Sequence, residues 1–227
     1  MTTIRSRLQA VRSRIQASAT AASRSPEQVR LLAVSKTFSI EAIREAFLAG
    51  QQAFGENYLQ EARSKIEALR DLPLEWHFTG PLQSNKTRDI ARNFDWVHSV
   101  DRLKPAQRLS DARPEAPLSP LQICIQVNVS GEVSKSGCDP AELEDLASAI
   151  CRLPRLRLRG LMTIPEATDD TAVQHDRFAH LRKLKDDLVA SGIELDVLSM
   201  GMSSDFEVAI AEGSTMVRVG RSIFGSR

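Results

Sequence analysis

The chain has 227 residues, of which 42% are hydrophobic and 26% charged, and its 30 basic and 29 acidic side chains give a formal net charge of +1. Such a chain is long enough for one sizeable core, and α/β barrels of roughly 200–250 residues form single domains. The balanced charge argues against a nucleic-acid or membrane-surface binder, because both need an excess of Lys and Arg on one face. Small molecules and proteins are therefore the expected partners.

The first 20 residues predict an amphipathic helix, since Ile4, Leu8, Val11 and Ile15 recur at helical spacing. A mitochondrial presequence, which is also Arg-rich and acid-poor, is the alternative for this segment. No part of the chain has the apolar run of a signal peptide or of a membrane span.

Short apolar runs then alternate with helical segments. The predicted strands are residues 31–35, 53–54, 75–78, 96–100, 121–129, 156–162, 196–199 and 216–219. The predicted helices lie at 40–49, 57–70, 84–94, 102–111, after the Asp139-Pro140 cap, at 170–190 and at 204–211.

Eight strands, each followed by a helix or a helix-sized gap, predict a parallel sheet that closes into a (β/α)8 TIM barrel with an extra N-terminal helix. An open doubly wound sheet is the alternative, but it usually carries a glycine-rich loop after its first strand. Here the first strand ends in Ser35-Lys36-Thr37. Because the chain lacks repeats and linker-like stretches, residues 1–227 are expected to form one domain.

The three cysteines, Cys124, Cys138 and Cys151, are widely spaced and contain no C-x-x-C pair. Neither a disulfide framework nor a zinc site is predicted from this spacing. A reducing, cytoplasmic location is expected, and no metal is expected.

In a barrel the chemistry lies at the carboxyl ends of the strands, where Lys36 follows the first strand. The chain uses 7 lysines against 23 arginines, so a lysine at this position is chemically suggestive. An amine against apolar walls favours its neutral form and can form a Schiff base with an aldehyde. A lysine that merely reaches out to water is the alternative.

The loops after strands seven and eight are rich in Gly and Ser, and barrels commonly build a phosphate site there from backbone N–H groups and a helix N-terminus. Each loop alone could be a plain turn. Together with Lys36, they predict a site for a phosphorylated aldehyde, for which pyridoxal 5′-phosphate is the obvious candidate.

Seven segments also resemble the YggS/PROSC family of pyridoxal-phosphate-binding homeostasis proteins. They follow one another from the first strand to the C-terminus: Ala33-Val-Ser-Lys-Thr37, Phe54-Gly-Glu-Asn-Tyr58, Trp76-His-Phe-Thr-Gly80 with Leu82-Gln-Ser-Asn-Lys86, Ser134-Lys-Ser-Gly137, Gly160-Leu-Met-Thr163, Ser199-Met-Gly-Met-Ser-Ser-Asp-Phe206 and Val217-Arg-Val-Gly-Arg-Ser-Ile-Phe-Gly225. The resemblance implies the barrel of the alanine racemase N-terminal domain and a protein that binds the cofactor without an established reaction.

The resemblance also implies roles for individual residues. Lys36 would form the internal aldimine, Ser203 would give its hydroxyl to the phosphate, and Ser204 its neighbouring amide. Gly220 and Arg221 would contribute backbone N–H groups. Arg221 departs from the family, which often carries Ser or Thr there, so a side-chain hydroxyl contact at that position is in doubt.

Arg218 and Asn57 complete the predicted set of cofactor-binding residues. The resemblance places Arg218 at the pyridine nitrogen. Since a guanidinium only donates hydrogen bonds, the ring nitrogen would stay unprotonated, and an unprotonated pyridine is a poorer electron sink. Asn57 would lie near the ring substituents, although it could equally cap the following helix.

Three classes of function remain open. The first is a carrier that holds pyridoxal phosphate as a lysine aldimine and releases it to apo-enzymes; the others are a small amino-acid racemase and a Schiff-base aldolase. The related racemases use a tyrosine from a second domain as a base, whereas the only tyrosine here, Tyr58, starts a helix. Glu56 is interpreted as helix-start charge, so no aldolase carboxylate is predicted. The carrier, non-catalytic and monomeric, is preferred.

Four other residues have a conventional explanation beside a functional one. His77 and His98 are more typical of hydrogen-bonded core residues than of acids or bases. Lys135 offers a second amine near the barrel mouth, but a loop lysine is usually solvated. Met202 is expected to pack.

Overall fold

The computed structural model describes residues 3–115, 118–132 and 135–225. In these residues, parallel β-strands form a closed barrel in the order β1 to β8, and β8 returns to pair with β1. The (β/α)8 barrel is therefore confirmed, and the open sheet is excluded. Pro117 of the proline-rich loop and Ser134 of the Ser-Lys-Ser-Gly segment lie outside the described residues.

The strands lie close to their predicted positions, with the largest differences at their ends. They are β1 Arg30–Val34, β2 Ala53–Glu56, β3 Glu75–Phe78, β4 Trp96–Val100, β5 Leu121–Gln126, β6 Leu156–Met162, β7 Val197–Ser199 and β8 Met216–Val219. Strand β5 ends three residues earlier than predicted, because Val127 and Asn128 pair with Cys138 across the following loop.

Helices cover the outside of the barrel. They are α1 Ile4–Ala21, α2 Ile40–Leu48, α3 Leu59–Ala68, α4 Thr87–Asn93, α5 Leu103–Ala112, α6 Leu143–Cys151, α7 Thr171–Ala190, α8 Phe206–Ala211 and α9 Arg221–Phe224. Short 3-10 turns, Pro26–Gln28 and Pro140–Glu142, precede β1 and α6.

Some of the predicted helices start two or three residues too early. The helix predicted from Ser84 begins at Thr87, because the Ser84 carbonyl accepts a hydrogen bond from the Thr87 hydroxyl at 3.0 Å within a turn. The helix predicted from Ser204 begins at Phe206. Ser203 and Ser204 therefore lie in a loop.

Helix α1 packs against the helices that flank the junction of β1 and β8. Its buried side chains include Leu8, Val11 and Ile15, which confirms the predicted amphipathic helix. Arg12 donates to the carbonyl groups of Ala49 and Gly50 just after α2, and Arg24 donates to one carbonyl group in the last turn of α8 and to one just beyond that helix. These bonds join α1 to carbonyl groups at and just beyond the ends of α2 and α8, where the helical hydrogen-bond pattern stops.

Gly160 lies at a β-bulge between β5 and β6, where the pairing shifts from Ile123–Leu158 to Cys124–Gly160. Glycine is favoured there because the backbone of β7 approaches closely. A Cβ atom on Gly160 would lie 1.8 Å from the Val197 carbonyl oxygen.

We expect Gly160→Ala to lower the free energy of unfolding by about 3 kcal/mol, because backbone atoms must move to admit the methyl group. Urea unfolding measures the difference. Gly55→Ala is the matched control, since its Cβ would meet only side-chain atoms at 3.4 Å or more, and we expect it to cost less than about 1 kcal/mol. Equal effects of the two substitutions would contradict the bulge explanation.

The barrel interior contains two buried histidines, His77 of β3 and His98 of β4, both fully shielded from solvent. Their rings are joined by a hydrogen bond of 2.9 Å between Nδ1 of His77 and Nε2 of His98. Both are hydrogen-bonded core residues, as predicted. Burial lowers the pKa of His77 and lowers the pKa of His98 well below its usual value.

This burial should make stability depend on pH. In the unfolded chain a histidine takes up a proton at about pH 6.5, whereas the buried ring stays neutral. The free energy of unfolding is therefore highest above that pH and decreases as the pH falls below it. From about pH 7.5 to about pH 5.5, we expect wild-type protein to lose about 1 kcal/mol more unfolding free energy than His98→Phe. Urea titrations at both pH values measure this difference, and parallel pH profiles would contradict it.

Candidate functional site

A cavity of about 580 Å³ opens at the carboxyl ends of the strands. Its lining comes from the segments that end or follow β1, β2, β3, β6, β7 and β8, so it lies at the face where barrels place their functional residues. The lining residues are Val34, Lys36, Phe38, Asn57, Thr79, Ile164, Met202, Ser203, Ser204, Arg218, Gly220 and Arg221.

All seven residues predicted to bind the cofactor line this one cavity: Lys36, Asn57, Ser203, Ser204, Arg218, Gly220 and Arg221. Sequence reasoning missed Thr79, which directly follows β3, although the position after a strand was an available signal. It also missed the apolar walls formed by Phe38 and Ile164, and it assigned Met202 to packing alone.

Lys36 lies half-buried in a tight turn after β1. The next residue, Thr37, has a φ of +67°, which is unusual for a β-branched residue and needs support from its surroundings. The Thr37 N–H donates to Glu61 Oε1 at 2.5 Å, and Ser35 N–H donates to the Gly55 carbonyl at 2.9 Å. The backbone on both sides of Lys36 is thereby fixed.

A buried ion pair lies behind this turn. Lys65 of α3 donates to Glu56 Oε1 at 2.8 Å, to Glu61 Oε1 at 2.5 Å and to the Ser35 carbonyl at 2.7 Å. The interpretation of Glu56 as helix-start charge was wrong, because Glu56 is fully buried at the end of β2 and also accepts from the Ser35 hydroxyl at 2.6 Å. Burial raises the pKa of Glu56 against the opposing hydrogen bonds from Lys65 and Ser35.

Asn57 points its amide toward the next strand end rather than capping α3. Its Oδ1 accepts from the Thr79 hydroxyl at 2.9 Å, and the residue at the helix start is Tyr58, which makes no side-chain cap. Gly80 permits this contact, because a Cβ there would lie 2.1 Å from the Asn57 carbonyl oxygen. The ends of β2 and β3 are thus held together at the cavity.

The loops after β7 and β8 present backbone N–H groups to the cavity. Within the described part of the chain, the N–H groups of Ser203, Ser204, Gly220 and Arg221 donate to no protein acceptor. Successive N–H groups of this kind form a concave site for an anion. Met202 N–H, by contrast, is occupied by Asp205 Oδ1 at 2.5 Å. Ser203 and Ser204 lie in the loop before α8, which has only six residues, whereas Gly220 and Arg221 lie at the start of α9.

Arg218 is a buried cation on β8. Its Nη1 donates to the Ser199 carbonyl at 2.5 Å and to the Ser199 hydroxyl at 2.9 Å, and its Nη2 donates to the Thr163 carbonyl at 2.8 Å. Burial lowers the pKa of Arg218 to about 10, so the guanidinium stays charged at neutral pH. Its Nε–H donates to none of the described residues.

Cationic side chains, Lys36, Arg218 and Arg221, are among the residues that line the cavity. Among its described lining residues, none is Asp, Glu, His, Cys or Tyr. Tyr58 is 54% exposed and lies outside the lining, as do His77 and Lys135. The arrangement can bind a phosphorylated aldehyde through Lys36, but it offers few groups for proton transfer.

Across the ranges that the structure describes, no group of three or more His, Cys, Asp or Glu side chains could hold a metal ion. All three cysteines are free. No helix in those ranges has the length and hydropathy needed to cross a membrane.

Comparisons with known proteins show which family this chain belongs to. The family model described as alanine racemase, N-terminal domain, matches residues 6–227. An alanine racemase from Corynebacterium glutamicum has the same barrel, with a TM-score of 0.68 over 95% of this chain and 60% of that chain, at 20% identity. At that identity the likeness shows the fold alone.

More similar relatives define the family further. The pyridoxal phosphate homeostasis protein of Pseudomonas aeruginosa is 60% identical over 100% of this chain and 97% of its own length. That of Escherichia coli K12 is 52% identical and covered over 98% of its length. PipY of Synechococcus elongatus, solved with PLP bound, has a TM-score of 0.85 at 41% identity, covering 98% of this chain and 100% of that chain. The chain belongs to the family of pyridoxal phosphate homeostasis proteins.

Proposed function

We propose that this protein binds pyridoxal 5′-phosphate covalently through Lys36 and acts as a carrier that buffers the cofactor in the cell. One observation carries the proposal: the same cavity contains Lys36, the Arg218 guanidinium and four backbone N–H groups that donate no hydrogen bond to the described residues. Pyridoxal phosphate supplies an aldehyde that a primary amine attacks with loss of water. The names of the relatives and the PLP-bound neighbour support the same ligand.

The chain's own residues fit the cofactor at each of its polar positions. The N–H groups of Ser203, Ser204, Gly220 and Arg221, together with the Ser203 hydroxyl, would hold the phosphate without a dedicated cation. Side-chain identity at Arg221 matters little for a backbone contact. The phosphate site therefore does not need the side-chain hydroxyl that relatives often carry at position 221.

Asn57 and Arg218 would orient the pyridine ring. The Asn57 amide is fixed by Thr79 and would face the ring substituents. Arg218 would donate its Nε–H to the ring nitrogen. Because a guanidinium has no lone pair to accept a proton, this contact keeps the ring nitrogen an acceptor.

A carrier is favoured over a racemase or an aldolase. Both reactions need a second group that moves a proton beside the lysine, and the described cavity lining contains no carboxylate, imidazole, thiol or phenol. We infer that the protein limits reaction of the aldehyde with other amines and gives the cofactor to apo-enzymes. We also infer that residues 1–227 act as one monomeric unit in a reducing cytoplasm, where three free cysteines are stable.

Borohydride reduction of the loaded protein, followed by peptide mass spectrometry, tests the covalent assignment. We expect the cofactor adduct on the Lys36 peptide alone. An adduct distributed over surface lysines would overturn the proposal. If the protein racemised alanine or other amino acids faster than free cofactor does, the carrier hypothesis would be wrong and the racemase hypothesis would be favoured.

Transfer to a partner can be measured with an apo-transaminase in the presence of an excess amine that traps free cofactor. Recovery of transaminase activity despite the trap is expected for direct delivery. If the trap prevented all recovery of transaminase activity, the protein would release the cofactor into solution and would not deliver it directly. Light scattering at the mass of a single chain would support the monomer.

A further inference from the structure

A chain of hydrogen bonds crosses the barrel interior from its base to the cavity. At the base, Arg30 Nη2 lies 2.9 Å from Glu75 Oε1, which also contacts Nε2 of His77. His77 Nδ1 meets His98 Nε2 at 2.9 Å, as described for the fold. His98 Nδ1 then lies 2.9 Å from the Ser199 hydroxyl, which accepts from Arg218 at 2.9 Å.

When both imidazoles are neutral, the two ends of the chain fix the direction of every hydrogen in it. Burial alone would raise the pKa of Glu75, but contacts with His77 and Arg30 lower it to about 2, so Glu75 is an acceptor. Neutral His77 must therefore carry its hydrogen on Nε2 and accept at Nδ1. It follows that His98 donates from Nε2 and accepts at Nδ1.

The Ser199 hydroxyl completes this order. Its hydrogen points to Nδ1 of His98, which leaves its lone pairs toward Arg218 Nη1. An arginine can only donate, so the hydroxyl has the orientation that Arg218 requires. A single set of tautomers thus satisfies all members from the Glu75 carboxylate to the Arg218 guanidinium.

We propose that His77, His98 and Ser199 are positioning residues for cofactor binding, which hold the Arg218 guanidinium against the ring nitrogen through this directed chain. The proposal rests on the function proposed above, because it needs a ring in front of Arg218. The charged groups that face the two imidazoles are Glu75, Arg30 and Asp95 toward the base and Arg218 toward the cavity.

A proton added to His77 would reverse the chain. Imidazolium donates from both nitrogens, so His98 would have to accept at Nε2 and donate from Nδ1 to the Ser199 hydroxyl. That hydroxyl would then receive two donors, from His98 and from Arg218, and its own hydrogen would lose its acceptor. The neutral pair is therefore the state that holds Arg218 in place.

Nitrogen NMR of histidine-labelled protein without cofactor tests the tautomers directly. At neutral pH we expect His77 and His98 both as neutral Nε2–H tautomers, with His175 and His180 of α7 assigned by substitution as internal references. An Nδ1–H tautomer or an imidazolium at either interior position would overturn the proposal. This result does not depend on whether the protein binds pyridoxal phosphate.

Ser199→Ala and His98→Phe test the effect on the site. Each should weaken the apparent affinity for pyridoxal phosphate by about fivefold to tenfold, the effect of one hydrogen bond, and should shift the visible band of the bound cofactor and its pH profile. Because both act through one chain, the double variant should lose no more than the stronger single variant. His180→Gln, outside the chain, should match wild type.

The outcomes separate the two proposals. If the wild type forms the Lys36 adduct but both single variants keep its band position, pH profile and affinity, the positioning role is wrong and the proposed function stands. If the double variant shows additive losses, the residues act independently and the chain is again wrong. If the wild type forms no adduct, the proposed function itself fails.

Discussion

Lys36→Ala is expected to abolish the visible absorption band that lysine-bound pyridoxal phosphate gives and to remove the adduct found after borohydride reduction. The phosphate contacts to backbone N–H groups would remain, so some non-covalent binding should persist. We expect the apparent affinity to fall by roughly a hundredfold or more, about 2.7 kcal/mol. Absorption titration and equilibrium dialysis measure the two effects separately.

Two lysines provide matched controls for this substitution. Lys104, on the exposed face of α5, should tolerate alanine without change. Lys135 lies in the loop after β5 and outside the cavity lining, so Lys135→Ala should also keep the band. A band that survives in Lys36→Ala and disappears only when Lys135 is also replaced would move the covalent site to Lys135.

Lys65→Met is expected to cost about 3–5 kcal/mol of unfolding free energy, because it leaves the buried Glu56 carboxylate without its cation. Methionine retains the length and apolar stem of the side chain, so little packing is lost. Without Lys65, burial should favour the protonated form of Glu56 still more strongly. Urea unfolding at neutral pH measures the loss.

A double variant distinguishes the stranded charge from lost packing. Glu56→Gln together with Lys65→Met removes both charges and should recover a large part of the stability. Lys104→Met, at an exposed helix position, should cost less than about 0.5 kcal/mol. If Lys65→Met cost no more than this control, the ion pair would have no role in stability.

Lys65→Met should also affect the site, since its ammonium donates to the Ser35 carbonyl next to Lys36. We expect slower adduct formation at Lys36 even under conditions where the variant is fully folded. The ion pair therefore joins stability and function through one short turn.

Much of the fold could be predicted because it depends on local signals. The apolar runs predict the strands, and their alternation with helical segments predicts a parallel barrel. Lys36 could be placed at the site because it follows a strand and the carboxyl ends of parallel strands meet at one face, whereas the place of Arg218 rested on the family resemblance.

The remaining features depend on contacts between distant segments. Glu56 looked like a helix-start charge because its partner, Lys65, reaches it only once α3 docks on the barrel. The chain from Glu75 to Arg218 draws on β3, β4, β7 and β8, and its alignment depends on strand register. Spacing within one segment gives no information about that register.

The junction of β1 and β8 has a consequence for how the protein matures. These strands pair from Arg30–Met216 to Ala33–Val219, so they lie far apart in sequence and their contact forms against a large loop-closure entropy. The amine comes from the first of them and the guanidinium from the last. On the proposed function, the complete binding site is therefore assembled only when the last strand closes the ring.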